Sequence, residues 1–121
     1  MKALSVVAPG GTRIASGEKT LEVRRWLPNL GRNEDLLIVE NGKFLTKDGE
    51  VDHDGCVVAI VCISRVRSFL PEDMATACGT YFEEGWLAWE LEQVRPIKSS
   101  KSVIAARGIY EIDLPEDTLF R

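Results

Sequence analysis

The feature that most constrains the fold is the longest apolar run of the chain, residues 56–63. It is rich in β-branched residues and has no polar break, which is typical of a strand covered on both faces. Its continuity predicts a central strand. The other apolar segments lie too close together for regular helical crossovers between parallel strands. The sequence therefore favours an α+β fold with a mixed β-barrel over a doubly wound parallel sheet.

About six short strands and two short helices are predicted in this barrel. A first helix is expected between Pro9 and a C-cap at Gly17, and a second between Pro71 and Gly79. The polar segment 47–55 is predicted to be a loop. The strands are predicted at residues 4–7, 20–24, 36–39, 56–63 and 86–94, with one or two more at 103–113.

Composition indicates an ordinary globular chain. Of its 121 residues, 45% are hydrophobic and 28% are charged, so we expect a single folded domain over residues 1–121. Cys56, Cys62 and Cys78 lack CxxC spacing, which favours reduced thiols. No stretch approaches the ~20 apolar residues of a membrane span, and residues 1–9 lack the apolar core of a signal peptide. A cytoplasmic location without membrane association is expected.

The charge pattern limits the nucleic acids that the chain can bind. The formal net charge of −4 argues against strong non-specific binding to polyanions, which depends on a basic face. Residues 93–109 nevertheless contain no acidic residue. The four basic residues of this late segment, candidates for phosphate contacts, are Arg95, Lys98, Lys101 and Arg107. An ordinary soluble surface is the alternative interpretation.

The segment 17–24 holds the most informative charges. Its last five residues alternate polar and apolar, which places Glu22 and Arg24 on one strand face, roughly 7 Å apart along the chain. Lys19 lies where the helix cap turns into that strand. Three charged groups in one cleft are one interpretation of this spacing. The other is a solvated face with a surface ion pair that contributes about 0 to 1 kcal/mol.

Residues 4–26 resemble the opening signature of the ASCH domain family. The similarity consists of Leu4-Ser5, a proline at position 9, a short helix, a Gly-x-Lys-x-x-Glu-x-Arg pattern over residues 17–24, and Trp26. Segments 35–38, 55–67, 86–97 and 103–112 resemble later parts of the family in the same order, including its Val-Arg-Pro sequence at 94–96. The resemblance implies a PUA-like mixed β-barrel with a cleft between the first helix and the barrel.

The same resemblance implies a function. ASCH domains are proposed to bind RNA, and those shown to be enzymes cleave RNA or hydrolyse N4-acylated cytidine. On that basis Lys19 and Arg24 would hold a phosphate or a ligand carbonyl, and Glu22 would orient Lys19 or accept from a base edge. The acylcytidine hydrolases have threonine where this chain has Glu22. A carboxylate does not replace an activated hydroxyl in the same acyl transfer.

Aromatic residues supply candidate base-stacking surfaces. Many ASCH domains have an aromatic residue just after the first proline, where this chain has Gly10-Gly11, and Trp26 is a candidate replacement. Tyr81, Trp86 and Trp89 are further candidates. Alternation puts Trp86 and Trp89 on opposite strand faces, and we expect Trp89 in the core while the place of Trp86 stays open.

Three functions remain for the cleft. The leading hypothesis is an RNA- or nucleotide-binding domain that uses Lys19, Glu22 and Arg24. The alternative is an enzyme on RNA or a modified nucleoside, in which Lys19 and Glu22 are catalytic. A protein-interaction domain would instead need a large exposed apolar patch. No cofactor or metal is predicted, because the acidic segment 50–54 lacks the later glutamate of a calcium loop and His53 is the only histidine.

Overall fold

Seven strands and two short helices make up the part of the chain that the computed structural model describes, residues 1–98 and 101–113. In chain order they are β1 (Lys2–Val7), α1 (Gly10–Ser16), β2 (Leu21–Arg24), β3 (Leu36–Asn41), β4 (Val51–Ser68), α2 (Met74–Ala77), β5 (Leu87–Pro96), β6 (Ser102–Ala106) and β7 (Ile109–Glu111). A single 3-10 turn, Pro71–Asp73, precedes α2. The α+β class and the two short helices are confirmed. The last predicted segment divides into β6 and β7.

The central strand of the sequence prediction is confirmed. β4 is 18 residues long and pairs with β3, β5 and β6. The prediction of a loop over residues 47–55 is wrong from Val51 onward, because Val51 pairs with Ala106 and Gly55 with Val103 on β6. Pairing with a neighbouring strand outweighs the polar composition of this segment. The pairing register shifts at several points along β4, and irregularities of this kind, such as β-bulges, bend a strand.

All seven strands form one sheet with the order β2-β5-β4-β3-β1-β7, and β6 pairs separately with β4. β1 and β3 are parallel, and the other pairs are antiparallel. Four inter-strand steps separate β2 from β1, which is about 19 Å in a flat sheet. Arg24 on β2 nevertheless donates a hydrogen bond of 2.9 Å to the carbonyl of Ser5 on β1. The sheet must therefore curl until these two strands face each other.

The predicted mixed β-barrel is not confirmed. No strand pairing joins β2 to β1 or β7 within residues 1–98 and 101–113, so the sheet stays open along that seam. The Arg24 side chain crosses it instead of a backbone ladder. The seam leaves a space that a closed barrel would fill with hydrogen-bonded strands.

Helix α1 packs closely on the curled sheet. A Cβ atom at Gly11 would lie 2.9 Å from Cβ of Glu40 and 3.1 Å from Cγ2 of Val58, so only glycine allows this approach. Gly17 ends the helix with φ of 85°, as predicted for the C-cap, and its N–H donates to the carbonyl of Ile14. The chain is thereby turned sharply toward β2.

Apolar residues cover both faces of the sheet. Leu36 and Ile38 of β3 pack with Trp89 on one face, while Leu37 and Val39 pack in a second cluster on the other. Trp89 is fully buried, which confirms its predicted place in the core. No helix in the described part of the chain is long and apolar enough to span a membrane.

Candidate functional site

A cleft of about 860 Å³ opens along the seam between β1 and β2. Helix α1 forms one wall, and the residues that follow α2 form another. Lys19, Glu22 and Arg24, the three charged residues singled out in the sequence, all line this cleft. We call these three residues the cleft cluster.

Lys19 is held in place by both of the short helices. Its backbone N–H donates to the carbonyl of Arg13 in the last turn of α1. Its ammonium donates to the carbonyl of Ala77 at the end of α2, at 2.6 Å. The ammonium also lies 3.3 Å from Oε1 of Glu22. Lys19 is only 8% exposed, so its charge depends on these partners for stabilisation.

Glu22 lies between the two cations of the cluster. It is 5% exposed, and its backbone pairs with Trp89 of β5. Oε1 faces Lys19, while Oε2 accepts hydrogen bonds from Nη2 of Arg24 at 2.9 Å and from Nε at 3.3 Å. A strand predicted to be half-buried therefore buries its charged face as well as its apolar one. The curl of the sheet covers this charged face, and the alternation of polar and apolar residues along β2 does not encode that curl.

The cleft cluster has unused hydrogen-bond donors. Arg24 uses Nε and Nη2 for Glu22 and Ser5, and Nη1 has no partner in the described part of the chain. Lys19 uses two of the three directions of its ammonium. These remaining N–H groups can donate to an anionic or carbonyl oxygen that enters the cleft.

The rim adds further positive charge. The cleft lining contains five cationic and two carboxylate side chains: Arg13, Lys19, Arg24, Lys43 and Arg107, with Glu22 and Asp48. Asp48 is fully exposed where it pairs with Arg107 at 2.9 Å, so that pair is a weak surface contact. The cleft is positive although the whole chain has a net charge of −4.

Two exposed aromatic residues also border the cleft. Phe44 is 76% exposed, and Trp26 is 37% exposed. The ring of Trp26 packs edge-on against buried Trp89, with centroids 5.0 Å apart. Trp26 therefore lines the cleft, and its role as a stacking surface stays a prediction.

The chain matches a known protein family over most of its length. The family model described as the ASCH domain matches residues 4–101. The chain belongs to the ASCH domain family. No curated protein matches the chain significantly.

Among solved structures, this ASCH domain is similar to the ASCH protein from Zymomonas mobilis. The TM-score is 0.58 at 19% identity, and the match covers 84% of this chain and 71% of that one. The crystal structure of a mutant of that protein gives a TM-score of 0.54 at 18% identity, with 80% and 72% covered. At these identities the similarity shows a shared fold.

The late basic segment does not act as one unit in this ASCH domain. Arg107 lines the cleft, whereas Arg95 donates to Asp35 at 2.6 Å and lies outside the cleft lining. The Arg95 guanidinium holds the pKa of the Asp35 carboxyl below its usual value. Lys98 and Lys101 are exposed and are also absent from the cleft lining.

Cys62 lies beside Arg95 and Asp35, and burial raises the pKa of its thiol.

Sequence reasoning missed several residues that build the site. The Ala77 and Ser5 carbonyls hold Lys19 and Arg24, but every residue has a carbonyl, so no sequence signal marks them. Ser5 also fixes β1, since its hydroxyl contacts Tyr110 and accepts from the Ala106 N–H. The sequence could have indicated Arg13 as a residue of the site, because it lies in the last turn of the helix that leads to Lys19.

Proposed function

We propose that this ASCH domain binds RNA or a nucleotide in the cleft, with Lys19 and Arg24 contacting phosphate oxygens. The observation that supports the proposal most is the set of unused donors on these two cations beside the cleft. Phosphate oxygens are acceptors that form short, strong hydrogen bonds with such groups. The excess of positive charge in the cleft of an acidic chain favours an anionic ligand that is bound locally.

Glu22 has two roles in this proposal. It keeps Lys19 and Arg24 apart and oriented through its two carboxylate oxygens. It also offers an acceptor to the amino group of a base, because a carboxylate has more lone pairs than its present partners use. A ligand that combines a phosphate with a base fits this arrangement of cations around one acceptor.

The test is binding of a fluorescein-labelled RNA oligonucleotide and of a labelled mononucleotide to the double variant Lys19→Ala/Arg24→Ala. Removal of two charge-assisted hydrogen bonds should weaken binding by roughly 100-fold or more. The salt dependence should also fall, by about 0.7 in the logarithmic slope for each phosphate that the variant no longer neutralises.

The matched control is Arg32→Ala/Arg65→Ala, which removes the same charge from two exposed positions outside the cleft. It should bind as the unaltered protein does. Equal affinity of the cleft variant and the control variant would reject the proposal. Circular dichroism of both proteins establishes that the comparison is between folded chains.

A second candidate function is catalysis in the same cleft. The Lys19 ammonium and the Glu22 carboxylate lie 3.3 Å apart and are both buried, as in pairs used for proton transfer or charge stabilisation. Labelled RNA and N4-acetylcytidine are the substrates to try. Turnover that Glu22→Gln removes while ligand binding persists would support an enzyme. Absence of product from either substrate at high enzyme concentration would count against it.

The other binding residues expected from the sequence differ in how directly they support this proposal. Arg107 belongs to the proposed site, since it lines the cleft. Arg95, Lys98 and Lys101 would contact only a longer RNA, and their roles stay predictions. A cytoplasmic location also stays a prediction, which is compatible with three cysteines that form no disulfide.

A further inference from the structure

A second, smaller groove adjoins the cleft at the end of β2. Its volume is about 470 Å³. Its lining consists of three arginines, two tryptophans and one valine: Val23, Arg24, Arg25, Trp26, Trp86 and Arg107. Arg24, Trp26 and Arg107 also line the cleft, so the two spaces are continuous. We call this space the tryptophan groove.

Each of the two tryptophans packs against another aromatic residue. Trp26 meets Trp89 edge-on at an interplanar angle of 83°. Trp86 meets Tyr81 with ring centroids 5.5 Å apart and is half-buried against the cluster around Phe69. Aromatic rings fixed in this way lose little conformational freedom when a flat ligand stacks on them.

The charge of the groove is entirely positive. No carboxylate is among its lining residues. Arg25 is exposed and forms no ion pair or hydrogen bond with any residue in ranges 1–98 and 101–113. The pairing of Arg24 with Leu87 places Arg25 at the level of Trp86. A cation therefore lies next to a ring along the groove.

We infer that the tryptophan groove stacks the base that follows the nucleotide held in the cleft, so that the ligand is single-stranded RNA and not a free nucleotide. This inference depends on the proposed function. Alternating cations and aromatic rings fit a strand whose bases are unstacked, because the rings need free base faces and the cations need nearby phosphates. A duplex offers no free base faces within the strand. A mononucleotide would leave the groove empty.

A length series tests the inference. The probes are adenosine monophosphate, the dinucleotide ApA with a 5′-phosphate, and a single-stranded tetraadenylate, measured by tryptophan fluorescence and calorimetry. One added base stacked on a ring should make the dinucleotide bind between about 5-fold and 150-fold more tightly than the mononucleotide. A blunt-ended RNA duplex long enough to stay paired should lack this increase.

Two variants test whether the tryptophan groove causes the higher affinity for the longer strands. Trp86→Ala should remove the advantage of the dinucleotide and leave mononucleotide affinity unchanged, and Trp86→Phe should restore part of it. Because Trp86 also packs on the core, Arg25→Glu provides a second variant at an exposed position. It should weaken binding of the tetranucleotide at least tenfold more than Arg32→Glu, the matched exposed control.

The outcomes separate this inference from the proposed function. Equal affinities for the mononucleotide and the longer strands would overturn the inference that the tryptophan groove stacks a base. The proposal that the cleft binds a nucleotide would be unaffected. A length advantage that survives both Trp86→Ala and Arg25→Glu would also overturn it. Failure of all three probes to bind would reject both, since the strand is then not held in the cleft at all.

Discussion

Two clusters of cations and carboxylates lie on opposite faces of the sheet beside β5, and they differ in which hydrogen-bond donors they leave unused. The cleft cluster lies on the face of the sheet that carries the Trp89 side chain, because Glu22 pairs with Trp89 of β5. On the opposite face lies a second group, which we call the brace: Arg65, Arg67, Asp73 and Glu90. The brace ties β4 and β5 to the 3-10 turn before α2.

The central arginine of the brace, Arg67, is fully satisfied. Arg67 uses all three of its nitrogens, for Glu90, for the Ser68 carbonyl and for both oxygens of Asp73. The two arginines and two carboxylates of the brace balance in charge. In the cleft cluster, by contrast, Nη1 of Arg24 has no partner among the described residues. A saturated guanidinium such as that of Arg67 stabilises an arrangement of strands, whereas a buried cluster with unused donors beside a cleft can receive a ligand.

The Lys19–Glu22 pair is also more deeply buried than the ion pairs of the brace. Buried ion pairs seldom stabilise a fold more than apolar residues of the same volume, because both charges lose their hydration. The Lys19 and Glu22 side chains are 10% and 7% exposed, and a cluster that only held the fold would gain from apolar replacement. Its presence at the cleft floor is therefore easier to explain by ligand binding than by stability.

The largest expected effect is on stability after Glu22→Gln. The change leaves the buried Lys19 ammonium without its counter-charge, which should lower the free energy of unfolding by about 3 kcal/mol. Urea denaturation measures it. The double variant Lys19→Met/Glu22→Leu removes both charges and should recover at least half of that stability while losing ligand binding. A double variant as unstable as the single one would show that the pair stabilises the fold, and the contrast with the brace would disappear.

A smaller loss is expected from Asp73→Ala in the brace. Asp73 accepts two hydrogen bonds from Arg67 and one from the Leu70 N–H, and its side chain is 13% exposed. Removal should cost about 1 to 3 kcal/mol of unfolding free energy. Ligand affinity should change much less than in Lys19→Ala/Arg24→Ala. The matched control is Asp54→Ala, an exposed acid whose removal should cost almost nothing. A loss of binding as large as in the cleft variant would make the brace part of the site.

The brace should also respond to pH. Hydrogen bonds from Arg67 lower the pKa of Asp73 below its ordinary value of 3.8, and those from Arg65 and Arg67 lower the pKa of Glu90 below 4.5. Groups with lowered pKa values stabilise the fold above those ordinary values and lose that contribution as the pH falls through their folded pKa. The difference in unfolding free energy between the unaltered protein and Asp73→Asn should therefore shrink from pH 7 to pH 3. A difference that stays constant with pH would contradict the assignment.

The strands and the ends of the helices could be predicted because local chemistry determines them. The uninterrupted apolar run at 56–63 is long enough to mark a central strand, and Gly17 supplies the left-handed residue that ends α1. The ordered ASCH motifs identified the family from short patterns. Spacing along β2 predicted that Glu22 and Arg24 share a face but left a solvated surface as an alternative, and the resemblance to the ASCH family favoured a cleft.

The rest depends on contacts between distant parts of the chain. The strand character of residues 51–55 comes from pairing with β6, roughly 50 residues later in the chain. The open seam comes from the curl of the whole sheet, and alternation in β2 gave no sign that a second surface would bury Glu22. Lys98 and Arg95 looked like partners of Arg107 by sequence distance alone, yet only Arg107 of the three lines the cleft.

The smallest effect is expected for Arg65→Ala, and it tests the comparison at its weakest ion pair. Arg65 reaches Glu90 at 2.8 Å, but its side chain is 66% exposed, so water competes for the pair. We expect a loss of about 0 to 1 kcal/mol in unfolding free energy, compared with a clearly larger loss for Arg67→Ala. Both variants remove one guanidinium that donates to the same carboxylate oxygen of Glu90, so charge alone predicts equal losses. Equal losses would mean that net charge, and not the number of satisfied donors, stabilises the brace. The unused donors of the cleft cluster would then no longer be an argument for ligand binding.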